Sequence, residues 1–153
     1  MRSCMKSILL IDDDPFLLNA LQRLLHPHFS EWKVTTASNG MEAIRLMTER
    51  AFDLVVTDIL MPEQDGLGLI REVRRRHPAT KLIAMTGGGK NVGLEVLDVA
   101  RALGAHAAFE KPFASAVFLD TIKDLLSGPL ECGALDAQPW NARVGALTQP
   151  YPG

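Results

Sequence analysis

Four short apolar runs in this chain each end on residues able to manage phosphate or a metal ion. Ile8-Leu-Leu-Ile11 leads into Asp12-Asp13-Asp14, and Asp53-Leu-Val-Val-Thr-Asp58 ends on a carboxylate followed by a Pro-containing turn. Lys81-Leu-Ile-Ala-Met85 leads to Thr86, and Ala107-Ala-Phe-Glu110 to Lys111-Pro112. Such runs read as strands buried on both faces of a parallel sheet. Open α/β sheets keep their ligand sites at the carboxyl ends of the strands, where these residues would gather. Asp12, Asp13 and Asp58 would then share a small volume and repel, a cluster stable only with protons or a cation. Mg²⁺ suits it, because that ion binds one or two carboxylates together with waters and phosphate oxygens. Paired aspartates after a strand also serve as a turn and helix cap, but Asp14 alone fills that role.

The chemistry that follows is phosphoryl transfer. The Asp58 carboxylate attacks phosphorus and becomes an acyl phosphate. Such a transfer needs neutralisation of the phosphoryl oxygens more than it needs proton transfer. Mg²⁺ supplies one contact, the Lys111 ammonium a second and the Thr86 hydroxyl a third. A lysine provides a compact charge on a long stem. The plain alternative for Lys111, a solvated loop lysine, fits poorly with Pro112, which restricts the residue before it to extended conformations and has access to the cis form.

The elements that must position these groups alternate in type. Strands are predicted at Ser7–Ile11, Lys33–Ala37, Asp53–Thr57, Lys81–Met85 and Ala107–Phe109. Helices are predicted at Pro15–Leu25, Met41–Arg50, Leu67–Arg76, Val92–Leu103 and Ser115–Leu126. Asp14 is an N-cap before Pro15 at the first helical position, Asn39-Gly40 opens the second helix and Gly104 closes the fourth. Arg74-Arg-Arg76 at the end of the third helix reads as cations complementing a helix carboxyl end. Five βα units imply an α/β fold with a five-stranded parallel sheet, right-handed crossovers and helices on both faces.

These motifs together resemble the receiver domain of two-component response regulators, over Met5 to Leu126. The resemblance implies a doubly wound, flavodoxin-like sheet of order 2-1-3-4-5. It implies that Asp12 and Asp13 are the metal-binding acidic pair, with Asp13 the direct ligand, and that Asp58 is the phosphoacceptor. The backbone carbonyl of Leu60 matches the third protein ligand of the metal, Thr86 the switch hydroxyl and Lys111 the phosphate-binding lysine. The Lys-Pro peptide at this place is commonly cis in the family.

The chain departs from the family at one position. An aromatic residue often stands three places before the lysine, and here that place is Ala108. Phe109 is one step along the strand, which reverses its face. The usual coupling of threonine to a rotating ring is thereby put in question, while no catalytic position is lost. Gly87-Gly-Gly89-Lys90 lacks P-loop spacing. Its first glycine leaves access to the phosphoryl group, and the others make a loop whose ordering could serve as the switch. On the fourth helix Val92, Val96, Val99 and Leu103 form the expected core stripe. Leu94 and Leu97 fall off it, as isolated surface leucines or as a partner-binding face beside that loop.

The rest of the composition bounds the setting. In 153 residues, 47% hydrophobic and 22% charged, there is room for one domain with a single core. The expected domain spans 5–127. Residues 128–153 hold four of the nine prolines and no periodicity, and read as a flexible tail too short for a DNA-binding output domain. A net charge of -2 gives no basis for nucleic-acid binding. No segment is a membrane span or a signal peptide, and Cys4 and Cys132 lack ligand spacing, so a cytoplasmic protein is expected. None of the histidines, His26, His28, His77 and His106, has metal spacing, and loop or cap roles are expected.

The function expected is a single-domain response regulator. A sensor histidine kinase or histidine phosphotransfer protein donates to Asp58 with Mg²⁺, and the changed surface alters a downstream protein partner that the sequence does not name. It is a signalling phosphoacceptor with self-catalysed transfer and hydrolysis, not a conventional enzyme. An interaction module indifferent to phosphorylation is the alternative, motivated by Ala108 and the off-stripe Leu94 and Leu97. A phosphatase acting on external substrates ranks last, because Ile59-Leu60 offers no second acid–base carboxylate.

Overall fold

The computed structural model describes residues 5–61, 64–87 and 92–127, with the side chains of 64, 65 and 92–94 left aside. Within it the order is β1 (Ser7–Ile11), α1 (Pro15–Leu25), β2 (Lys33–Ala37), α2 (Gly40–Glu49), β3 (Leu54–Asp58), β4 (Leu60–Met61), β5 (Gln64–Asp65), α3 (Gly66–Arg76), β6 (Lys81–Thr86), α4 (Val92–Leu103), β7 (Ala107–Glu110) and α5 (Ser115–Leu126). Five strands form one parallel sheet of order β2-β1-β3-β6-β7. This is the predicted topology. The pair β4 and β5 is a two-residue antiparallel ribbon that the sequence reading took for a turn.

Strand periodicity divides the core in two. Leu9 and Ile11 of β1, Val55 of β3, Leu82 and Ala84 of β6 and Ala108 of β7 face α2, α3 and α4. Their neighbours Ile8, Leu10, Leu54, Val56, Ile83, Met85 and Ala107 face α1 and α5. Side chains alternate faces along a strand, so an unbroken apolar run is what a sheet covered on both sides requires. Phe118, Ile122 and Leu10 are fully buried, each of order 1.5–3 kcal/mol of apolar transfer.

Local chemistry sets the helix ends. Asp14 Oδ1 accepts from the Phe16 N–H at 2.9 Å, with Pro15 beside it. Asn39 Oδ1 accepts from Glu42 N–H at 2.8 Å while Glu42 Oε2 accepts from Ser38 N–H at 2.9 Å, a reciprocal cap that starts α2 at Gly40. Those contacts with Ser38, the backbone bond foremost, hold the Glu42 carboxyl below its ordinary pKa. Gly104 closes α4 at φ +118, and a Cβ there would also meet the Arg74 stem at 2.8 Å. Arg74 itself donates to the Pro78 and Thr80 carbonyls beyond α3, as expected of a cation at a helix end. Arg75 and Arg76 pair with Glu72.

One expectation fails on α4. Leu97 is fully buried among the residues facing α2, α3 and α4, as is Ala100, whereas Val99 is 44% exposed. The inward face runs through Val96, Leu97, Ala100 and Leu103, so Leu97 is core and not a partner-binding residue. A stripe of large residues leaves out Ala100, which is fully buried on the same face as Leu97. The side chain of Leu94, the glycines 88 and 89 with Lys90, and the tail 128–153 lie outside the described residues.

Candidate phosphoacceptor site

Every strand end proposed to carry chemistry lies on one edge of the sheet. Asp12 follows β1 and is 1% exposed, with its N–H bonded to the Ala37 carbonyl. Asp58 is the last residue of β3 and 5% exposed. Ligand oxygens from Asp12, Asp13 and Asp58 all lie within 4.8 Å of one another. Lys111, just beyond β7, extends across to them, with Nζ 2.8 Å from Asp12 Oδ2 and 3.6 Å from Asp58 Oδ2. The Lys111–Pro112 peptide is cis.

The remaining carboxylate oxygens are distributed unequally. Asp12 Oδ1 accepts from the Asp14 N–H at 2.9 Å, so hydrogen bonds occupy both of its oxygens. Asp58 Oδ1 accepts from the Leu60 N–H at 3.3 Å. Asp13 is exposed. Burial raises the Asp58 pKa from its ordinary value; Lys111 opposes that shift, Asp12 adds to it, the Leu60 N–H opposes and Asp13 adds.

Three carboxylates facing one ammonium leave an excess of negative charge on an oxygen-only donor set. That is the chemistry of a hard divalent cation such as Mg²⁺. The residues fit. Among the described residues this is the one acidic cluster of metal-holding geometry.

Thr86 ends β6, fully buried, and its carbonyl accepts the Lys111 N–H at 2.8 Å. Leu60 begins the short ribbon two residues past Asp58. A Cβ on Gly87 would stand 3.8 Å from Lys111 Cδ, so a larger residue there would extend over the lysine stem. Ala108 packs on the α4 side, and Phe109 on the other, against Phe113 at 5.3 Å and Phe118 at 5.7 Å. The ring therefore points away from Thr86's α4-side neighbours, as the one-residue step implied.

Gly66 was not singled out as a site residue. A Cβ there would lie 2.5 Å from the Ile59 backbone and 2.8 Å from the Asp58 carbonyl, so α3 begins in direct backbone contact with the end of β3. The signal was its place closing the run that starts at Asp58. His106 lies in the loop just before β7, one of the roles expected for it. Its Nδ1 accepts the Leu82 N–H at 3.1 Å, continuing the sheet one residue before β7. Burial, with Lys81 and Arg74 nearby, pulls its pKa down to about 3.

A doubly wound parallel sheet with an acidic cluster, a threonine and a lysine at its carboxyl edge defines a phosphoacceptor class of signalling domain. The response regulator receiver domain family matches residues 8–123, and the chain belongs to that family. The chemotaxis protein CheY of Halobacterium salinarum is 33% identical over 122 residues, which is 80% of this chain and 98% of that one. The transcriptional regulatory protein TrcR of Mycobacterium tuberculosis is 34% identical over 145 residues, 92% of this chain but 52% of that protein. A receiver domain protein from Clostridium thermocellum superposes with a TM-score of 0.72 at 29% identity, covering 80% of this chain and 95% of that chain. A receiver domain of a DNA binding response regulator from Colwellia psychrerythraea gives 0.73 at 29% identity, covering 80% and 99%. Among the described residues no helix is long and apolar enough to cross a membrane.

Proposed function

We propose that Asp58 accepts a phosphoryl group from a phosphohistidine on a sensor histidine kinase or phosphotransfer protein, and that the acyl phosphate switches a protein-binding surface. The observation that carries this reading is the convergence of Asp12, Asp13 and Lys111 on the Asp58 carboxylate at a strand end. Asp58 Oδ1 is engaged by the Leu60 N–H, which leaves Oδ2, on the Lys111 side, as the attacking atom. The new O–P bond forms as the N–P bond to the donor imidazole breaks, and the donor ring, protonated on its other nitrogen before transfer, leaves as neutral imidazole. Lys111 then exchanges a carboxylate partner for a phosphoryl oxygen, and the Thr86 hydroxyl donates to another. Asp12, Asp13, Asp58 and the Leu60 carbonyl are the residues that would hold Mg²⁺, which when bound lowers the charge on the acceptor and the transferring group.

We assign this chemistry to a domain of residues 5–127, and the buried Leu126 near its end supports that reading. Its chemistry is self-catalysed transfer and hydrolysis, with no turnover of external substrates. Incubation with a small phosphodonor and Mg²⁺ is expected to give one base-labile adduct on Asp58. Equal labelling of Asp58→Asn would refute the assignment. A second reading, a module whose partner binding ignores phosphorylation, is motivated by Ala108. Binding unchanged by Asp58→Ala would favour it.

A further inference from the structure

The strand β7 lies at the edge of the sheet. Lys111 turns its N–H inward to the Thr86 carbonyl, and Thr86 stands opposite Glu110 in the ladder. Backbone groups alternate sides along a strand, so Ala108 turns its own outward, to the open edge. Arg101 of α4 covers that edge, its Nη2 donating to the Ala108 carbonyl at 3.5 Å. It is the side-chain hydrogen bond that joins α4 to β7 among the described residues. The Ala108 side chain faces the α4 layer but is a methyl group, with no torsion through which to relay a change.

The Arg101 guanidinium is incompletely satisfied where it stands. Its Nη1 pairs with Asp98 Oδ1 at 3.1 Å, the bond to Ala108 is long, and its Nε is buried without a partner. Buried donors are normally paired, and hydrogen bonds from charged groups are shorter than this when relaxed. A small approach of β7 and α4 would therefore strengthen the contact. Such an element can occupy two arrangements close in energy.

We propose that Arg101 is the positioning residue that couples the phosphoacceptor site to α4, through its bond to the Ala108 carbonyl. The proposal rests on Asp58 being the phosphoacceptor. When Thr86 engages the phosphoryl group the end of β6 moves, and β7 follows through the Thr86–Lys111 bond and the ladder. Arg101 closes on Ala108, and α4 is drawn onto the sheet edge.

The test is hydrogen exchange of the full chain with and without beryllium fluoride and Mg²⁺, an acyl-phosphate mimic. Phosphodonor labelling of Asp58 is measured on the same proteins. In the natural chain, amides of residues 95–103 are expected to slow about tenfold, the effect of one tightened hydrogen bond to a charged group. Arg101→Gln is expected to label at Asp58 within about twofold of the natural chain, yet to lose the α4 response. Arg101→Lys, which keeps charge and stem but not the fork, is expected to retain part of it and stands in should the glutamine variant not fold. A full α4 response in either variant overturns the proposal. If the natural chain takes no label on Asp58, the phosphoacceptor reading fails first and the proposal falls with it. Labelling without any α4 response in the natural chain overturns the proposal alone.

Discussion

Lys111 Nζ lies closer to Asp12 Oδ2, at 2.8 Å, than to the Asp58 Oδ2 it is proposed to serve, at 3.6 Å. Asp12 is almost wholly buried and has both oxygens bonded, so it holds the ammonium near Asp58 without committing it there. Replacing Lys111 with methionine leaves Asp12 and Asp58 facing each other uncompensated. Without Mg²⁺ the variant is expected to lose about 1–3 kcal/mol of stability, in the range for breaking a charged hydrogen bond in a partly exposed pair. Added Mg²⁺ should restore part of that loss. Phosphodonor labelling should still fall about a hundredfold, since a cation on the transferring group is gone. Urea unfolding with and without Mg²⁺, beside labelling rates, checks both, and an unchanged labelling rate counts against Lys111.

Asp58→Asn is expected to be more stable than the natural chain at neutral pH without metal. Its carboxyl pKa is raised by burial in the fold, against Lys111, so the folded state holds its proton more tightly than the unfolded chain does. A raised pKa contributes stability that is present below the unfolded value and lost as pH rises through the folded value. The variant should therefore gain most above that window and nothing in acid. Unfolding curves at pH 7 and pH 3 decide, and a variant less stable at pH 7 would contradict the account.

Asp13→Asn is expected to weaken Mg²⁺ binding by about tenfold or more, a change of ~1.4 kcal/mol. The exposed Asp13 carries no hydrogen bond comparable to those that hold Asp12, so its oxygens are the more available to a metal. Trp32 is a poor reporter, because it stacks on Phe29 at 4.1 Å just before β2, at the opposite end of the sheet. Calorimetric titration is the suitable measurement, and unchanged affinity would remove Asp13 from the ligand set.

The sequence carried the five sheet strands and their helices because buried parallel strands are continuous apolar runs and the caps at Asp14, Asn39 and Gly104 have strong chemical preferences. It also carried the gathering of Asp12, Asp13, Asp58 and Lys111, since strand ends in such a sheet share an edge. It misplaced Leu97, because a stripe of large residues and a face built on Ala100 both have helical period, and only packing chooses between them. The ribbon of β4 and β5 was hidden by its brevity. Pairings decided by ångströms, such as Arg101 with Ala108, have no counterpart in residue type.

His106 supplies a pH dependence remote from the site. Its pKa falls from 6.5 to about 3, chiefly through burial, and its neutral ring carries the proton on Nε2 while Nδ1 accepts from Leu82. As pH drops from 6.5 toward 3, the unfolded chain takes up a proton that the folded chain refuses. Stability is thus complete above that window and declines within it, by about 1.4 kcal/mol per pH unit. At pH 5 the natural chain should have lost roughly 2 kcal/mol from this group, and His106→Gln should lose none. Unfolding at pH 7 and pH 5 compares the two, and an equal decline in both would discount His106.

Gly66→Ala tests whether the start of α3 fixes the acceptor. The added Cβ would meet Ile59 Cα and O at 2.5 Å, backbone atoms that cannot rotate away. The end of β3 must shift, and Asp58 with it, because the Ile59 N–H is bonded to the Met85 carbonyl at 2.8 Å and the Leu60 N–H to Asp58. A cost of about 1–3 kcal/mol is expected, typical of forced overpacking. Labelling should fall by more than the folded fraction accounts for, since a displacement near 1 Å at a reacting group costs on the order of a hundredfold. Gly104→Ala, strained by its φ of +118 but far from Asp58, is the control and should lose stability while labelling normally. If both variants label alike at equal folded fraction, Gly66 serves the fold and not the site.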